Sequence, residues 1–175
     1  MKAIAPLVVL SLALAACATP RPAPAPQPTA TQPRPIAPTP LPQPPADWRD
    51  APQTAGNWSW GMVGGRSTAT YTGANGAALV TLSCESPRGR VLLSRSGAAA
   101  TAMPLTVVTT STRRPLLSDP AFPANGWLVV SISAADKLLD AIAFSRGRFA
   151  LEAAGQDTLY LPSWPEISRV VEDCR

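Results

Sequence analysis

Histidine is absent from the 175 residues. That one absence removes Ser-His-Asp and Cys-His nucleophilic catalysis, imidazole metal sites and the commonest general base. Lysine is nearly absent as well. Only Lys2 and Lys137 occur, and no Ser-x-x-Lys precedes Lys137, as a serine-lysine acyl-transfer enzyme would require. Asp136 and Asp140 flank Lys137, which reads as a charge on a helix surface. No cofactor or metal is expected. Positive charge is scarce and scattered: it is carried by Arg88, Arg90, Arg95, Arg113, Arg114, Arg146, Arg148, Arg169 and a few others, and the formal total is only +4. This is too little and too dispersed for binding nucleic acid. A mildly basic surface suits anionic lipid or polysaccharide, or is simply solvated arginine. The apolar run over residues 3–16 is too short to be kept across a bilayer.

That run, with Lys2 before it, is a secretory signal. It ends in Leu14-Ala15-Ala16-Cys17, which resembles the lipobox of bacterial lipoproteins. The resemblance implies cleavage before Cys17, a diacylglyceryl thioether on its sulfur and a further acyl chain on the new amino terminus. Two or three chains make a stable anchor, because each buried methylene contributes about 0.8 kcal/mol. Ala18, where aspartate would signal retention, resembles the pattern that sorts such proteins to the outer membrane. The domain would then face the periplasm or the cell surface. The competing reading is a plain signal peptide followed by a chance cysteine.

Without residues 1–16 the chain keeps 14 basic side chains against 11 acidic ones, a formal +3. Residues 17–46 then form the lipid anchor and a segment of proline, alanine, threonine and glutamine with no bulky apolar residue beyond Ile36 and Leu41. No core can form there. Polyproline II geometry would extend it over roughly 80 to 90 Å, which describes a spacer or else a ligand for a proline-binding domain. The globular part is residues 47–175, enough for one core. With Cys17 taken by lipid, Cys84 and Cys174 are left in an oxidising compartment and are expected to pair.

Within residues 47–175 the pattern is mainly β. Trp58, Trp60 and Met62 alternate with polar residues, Gly64-Gly65 turns the chain into Ser67 to Thr72, and Asn75-Gly76 turns it again into Ala78 to Cys84. Alternation points Val80, Leu82 and Cys84 to one face. Strands follow at Arg90 to Arg95, Leu105 to Thr110 and Trp127 to Ile132, with Arg113-Arg114-Pro115 read as solvated loop. A helix is expected from a Ser133 cap through Leu138, Leu139 and Ile142 to Gly147. A hairpin across Gly155-Gln156-Asp157 comes next. A last helix starts at Ser163-Trp164-Pro165-Glu166, with serine as cap and glutamate completing a capping box, and it carries Ile167, Val170, Val171 and Cys174 toward the sheet. The expected fold is α+β, an antiparallel β-sandwich or barrel of about eight strands with two short helices, the second at the C-terminus.

The stretch Leu138-Leu139-Asp140-Ala141-Ile142-Ala143-Phe144-Ser145-Arg146-Gly147-Arg148-Phe149, with Leu159-Tyr160-Leu161-Pro162 through Arg175, resembles the end of uncharacterised alphaproteobacterial exported proteins and lipoproteins. The domain as a whole is loosely similar to the invasion-associated locus B proteins, which are exported, β-rich and disulfide-bonded. Neither resemblance implies an activity.

Arg146 and Arg148 around Gly147 form the most suggestive polar stretch, able to hold a phosphate or carboxylate; the alternative is that Arg146 complements the end of a helix. Trp48, Trp58 and Trp60 could stack on a sugar, or pack in the core. Two classes of function remain. One is a noncatalytic outer-membrane lipoprotein that binds an envelope protein, peptidoglycan or an anionic glycan. The other is a cell-wall glycan enzyme using paired carboxylates from Asp136, Asp140, Glu152 and Asp157. A shallow arginine-lined face favours the first, and a cleft with two facing acids the second.

Overall fold

Glycine turns and alternating side chains fold the first half of the domain into a meander. The computed structural model describes residues 47–97, 101–120 and 126–175, so the signal, Cys17 and the proline-rich segment lie outside the described residues. Its strands are β1 (Gly56–Val63), β2 (Arg66–Gly73), β3 (Ala78–Glu85), β4 (Arg90–Ser96), β5 (Pro104–Val108), β6 (Arg113–Leu117), β7 (Trp127–Ser133), β8 (Arg148–Ala153) and β9 (Leu159–Pro162). Two helices, α1 (Lys137–Ala143) and α2 (Pro165–Asp173), complete the fold. One sheet has the order β1-β2-β3-β4-β7 and the other β6-β5-β8-β9. Every pairing is antiparallel. The described strands close no barrel, and the architecture is a sandwich.

Inward residues of both sheets share one core: Val80, Leu82, Val91, Leu93, Val130 and Ile132 from the first sheet meet Leu105, Val107, Phe149, Leu151 and Leu161 from the second. Ile167, Val170 and Val171 of α2 join them, against β2 and β3. The tight first hairpin depends on Gly64 and Gly65, whose φ values of 56° and 75° are left-handed. A two-residue loop between twisted strands requires that geometry.

β6 corrects the expected loop at Arg113-Arg114-Pro115. Pro115 pairs opposite Thr106 on β5, and β6 is the outermost strand of its sheet, where a residue without an N–H is tolerated. The caps also differ from expectation. Asp136, not Ser133, caps α1, accepting from the Leu138 N–H at 2.8 Å. The helix stops at Phe144 and not at Gly147, which turns the chain into β8 at φ 79°. Trp164 holds the cap position of α2 without a side-chain bond, because the Ser163 hydroxyl donates instead to the Ile142 carbonyl at 2.8 Å. Both helices therefore begin later than the sequence pattern suggests; Ser163 ties the start of α2 to the end of α1, and the Ser133 carbonyl closes the turn that leads to Asp136.

Candidate functional site

Cys84 ends a strand facing inward and Cys174 follows the last turn of α2, and the two form a disulfide with alpha carbons 5.4 Å apart. The pairing and the inward register of β3 are as the alternation predicts. Around the bond, a hydrogen-bonded chain fixes α2 to the sheet. The Trp60 indole donates to the Ser67 hydroxyl at 2.8 Å, and that hydroxyl donates to Asp173 at 2.5 Å. Arg169 covers the Trp60 ring, with its guanidinium carbon 3.6 Å from the centroid. Trp58 is buried against Tyr71 with ring centroids 5.1 Å apart, and its indole donates to the Pro162 carbonyl. Trp58 thus serves the core, and Trp60 carries an arginine on its face.

The four acids considered for glycoside chemistry each sit with an arginine. Arg114 clamps Asp136 through two bonds of 2.9 and 2.6 Å, and Arg113 clamps Glu152 at 2.9 and 2.5 Å. Arg175 pairs with Asp140 at 2.8 Å, and the Asp157 charge acts on Arg95. A bidentate pair spends both oxygens of a carboxylate, leaving little to polarise a glycosidic oxygen. The pairs that β6 contributes, Arg113 and Arg114, come from the segment read as a loop. Among the described residues no group of three His, Cys, Asp or Glu side chains is placed to hold a metal ion.

The hydrogen bonds from Arg114 hold the Asp136 carboxyl below its ordinary value of 3.8, aided by the Leu138 N–H and opposed by burial. A carboxyl depressed on folding stabilises the fold above its unfolded pKa, and the contribution is lost as the pH falls through the folded value. Asp136→Asn keeps the cap but not the charge. It should therefore cost a few tenths to about 1 kcal/mol at neutral pH, since the pair is partly exposed. Urea titrations at falling pH should show the two proteins converging below pH 3.8, as the native aspartate also becomes neutral. A gap that stays constant with pH would show that the charge contributes nothing.

Arg146 and Arg148 have different surroundings. Arg148 donates to the Ala51 carbonyl at 2.5 Å, tying the start of the domain to β8. Arg146 is exposed, its backbone N–H donates to the Thr110 hydroxyl, and its guanidinium has no hydrogen-bond or ion-pair partner among the described residues. It lines an open groove of about 560 Å³ with Arg49, Thr110 and Ser111. Arg49, from the 3₁₀ turn Trp48–Asp50, is held by Asp47 at 2.8 Å and lies over the Trp48 ring. A second shallow groove, on the outer face of the five-stranded sheet, includes Arg66, Thr68, Thr81 and Ser83. At its end Glu85 meets three arginines: Arg90 at 2.6 Å, and Arg66 and Arg88 at 3.5 Å. The Arg90 hydrogen bond is the main reason that the Glu85 carboxyl lies below its usual range. Sequence order gave no signal of the meeting of Arg49, Thr110 and Arg146, because β5 and the turn after α1 are brought together only by the second sheet.

No protein-family model matches the chain, and neither does any curated protein or solved structure.

Proposed function

We propose that this chain is a lipid-anchored envelope protein of the outer membrane whose disulfide-locked domain binds an anionic glycan, peptidoglycan foremost, and performs no chemistry of its own. The observation that carries the reading is the open groove in which the guanidinium of Arg146, unpaired among the described residues, stands beside Arg49 and the hydroxyls of Thr110 and Ser111. Guanidinium groups meet carboxylates in a planar two-bond geometry, and flanking hydroxyls match those of a sugar. The lipobox-like Leu14-Ala15-Ala16-Cys17 supports the anchor. The Cys84–Cys174 bond fits an oxidising compartment, and the resemblance of the final stretch to exported proteins agrees with it. No observation favours the carboxylate enzyme, whose two acids would have to face each other about 5 to 9.5 Å apart.

Mature protein from cell envelopes tests both halves. Its intact mass should correspond to a chain starting at Cys17 and carrying acyl chains; a different start or a bare thiol would refute the anchor. The same preparation should sediment with purified peptidoglycan sacculi, less so at high salt, and an Arg49→Ala, Arg146→Ala variant should stay in solution. Equal sedimentation of the variant would remove the groove from the reading.

A further inference from the structure

Four strands lie at the borders of the two sheets, and three of them are guarded. β6 carries Arg113, Arg114 and Pro115, the charged and proline residues that discourage further pairing. β9 is covered by the segment before β1, where the Thr54 N–H donates to the Tyr160 carbonyl and the Tyr160 N–H to the Thr54 hydroxyl. β7 receives the Asp119 N–H on its Val129 carbonyl. β1 has none of these protections. Its eight residues, Gly56–Val63, include no charge and no proline, and among the described residues no backbone hydrogen bond reaches its outer side.

The outward groups can be named. Val63 and Arg66 flank a two-residue turn and so exchange hydrogen bonds. The alternation of an antiparallel pair then turns Val63, Gly61, Ser59 and Asn57 toward β2, and Met62, Trp60, Trp58 and Gly56 outward. We propose that this free edge pairs antiparallel with β1 of a second copy of the chain about a two-fold axis at Ser59, joining two five-stranded sheets into one.

The sequence of β1 is complementary to itself in that register. With Ser59 opposite its own copy, the four outward-facing residues are all matched: Trp58 meets Trp60 of the second copy, and Gly56 meets Met62. Met62 is 62% exposed in the single chain, and glycine opposite leaves it room. On the other face Asn57 lies opposite Gly61, so no two large side chains collide there. Shifting the strand by two residues would leave outward groups unmatched, and a shift by one would turn each core face to solvent. β1 itself carries no charge to set against its copy, and the cation beside it, Arg169, lies on the face of the Trp60 ring. The proline-rich segment of the chain itself is a poor occupant, because proline supplies no N–H to a ladder.

The test uses the chain from residue 17 onward with Cys17→Ser, so that acyl chains cannot cause association. Light scattering after size exclusion, in the high micromolar range, should give twice the monomer mass. Ser59→Lys and Ser59→Glu, at an exposed position, should each give the monomer mass, and an equimolar mixture should recover the double mass as a heterodimer. A monomeric parent overturns the proposal, as do variants that remain dimeric or a mixture that stays monomeric. Circular dichroism that matches the parent shows that the variants are folded.

Discussion

Replacing both Cys84 and Cys174 with alanine should lower the unfolding free energy by about 4 to 5 kcal/mol. The bond closes a loop with a sequence separation of 90, and a loop of that length removes about that much chain entropy from the unfolded state. Small domains hold only about 5 to 15 kcal/mol in all, so the loss is a large share of the total. It should also be uneven. α2 spans nine residues, a length that is marginal without tertiary support, and its end is held by the disulfide and the Trp60, Ser67 and Asp173 chain. Hydrogen exchange in the double variant should therefore rise first in α2 and only later in β3 and β4. Denaturant titration gives the total. A loss below about 1 kcal/mol would mean that the unfolded chain is already constrained without the bond.

Arg95→Ala should be nearly as damaging, costing about 3 to 5 kcal/mol, because it opens a cavity and strands two buried carbonyls, each worth about 1 to 3 kcal/mol. Arg95 is 3% exposed and points inward with Val91 and Leu93. Its guanidinium donates to the Leu151 carbonyl at 3.0 Å and to the Asp157 carbonyl, bridging the two sheets, while its Nε is buried without a partner. Burial pulls its pKa below the usual guanidinium value, and the Asp157 charge opposes that shift. Alanine would leave a cavity and two carbonyls without their donor. Methionine fills the volume but restores no donor, so Arg95→Met should lose less, about 1 to 3 kcal/mol. Urea denaturation of both variants checks the order. An alanine variant within about 0.5 kcal/mol of the parent would show that water replaces the guanidinium at no cost.

These two features differ in how far the sequence revealed them. The disulfide was legible because alternation along β3 and the helical stripe of α2 are local patterns, and both aim their cysteines at one core. Arg95 counted only as one more dispersed charge. Its parity with Val91 and Leu93 placed it on the inner face, but the carbonyls that accept from it lie 56 and 62 residues away. β6 was hidden for a related reason: two arginines and a proline look like a loop unless the strand is known to be at the rim. The helix caps slipped because Ser133 and Ser163 have the right chemistry at the wrong place, and Asp136 completes the turn that Ser133 begins. Of the arginine groove only Arg146 stood out in the sequence, paired there with Arg148; Arg49, Thr110 and Ser111, which line the groove with it, are distant in sequence and gave no signal.

The strand order gives the disulfide a topological meaning beyond its free energy. β1, β2 and β3 precede the linkage, whereas β4 through β9 and both helices lie inside the covalent ring between Cys84 and Cys174. The ring therefore holds the whole four-stranded sheet, and the β3–β4 ladder is the seam between what is inside and what is outside. A protease that cuts one peptide bond within the ring releases no fragment, because both pieces remain joined through sulfur. Against any peptidase, what such a domain must keep intact is a closed loop of bonds with one bond to spare, rather than an unbroken thread.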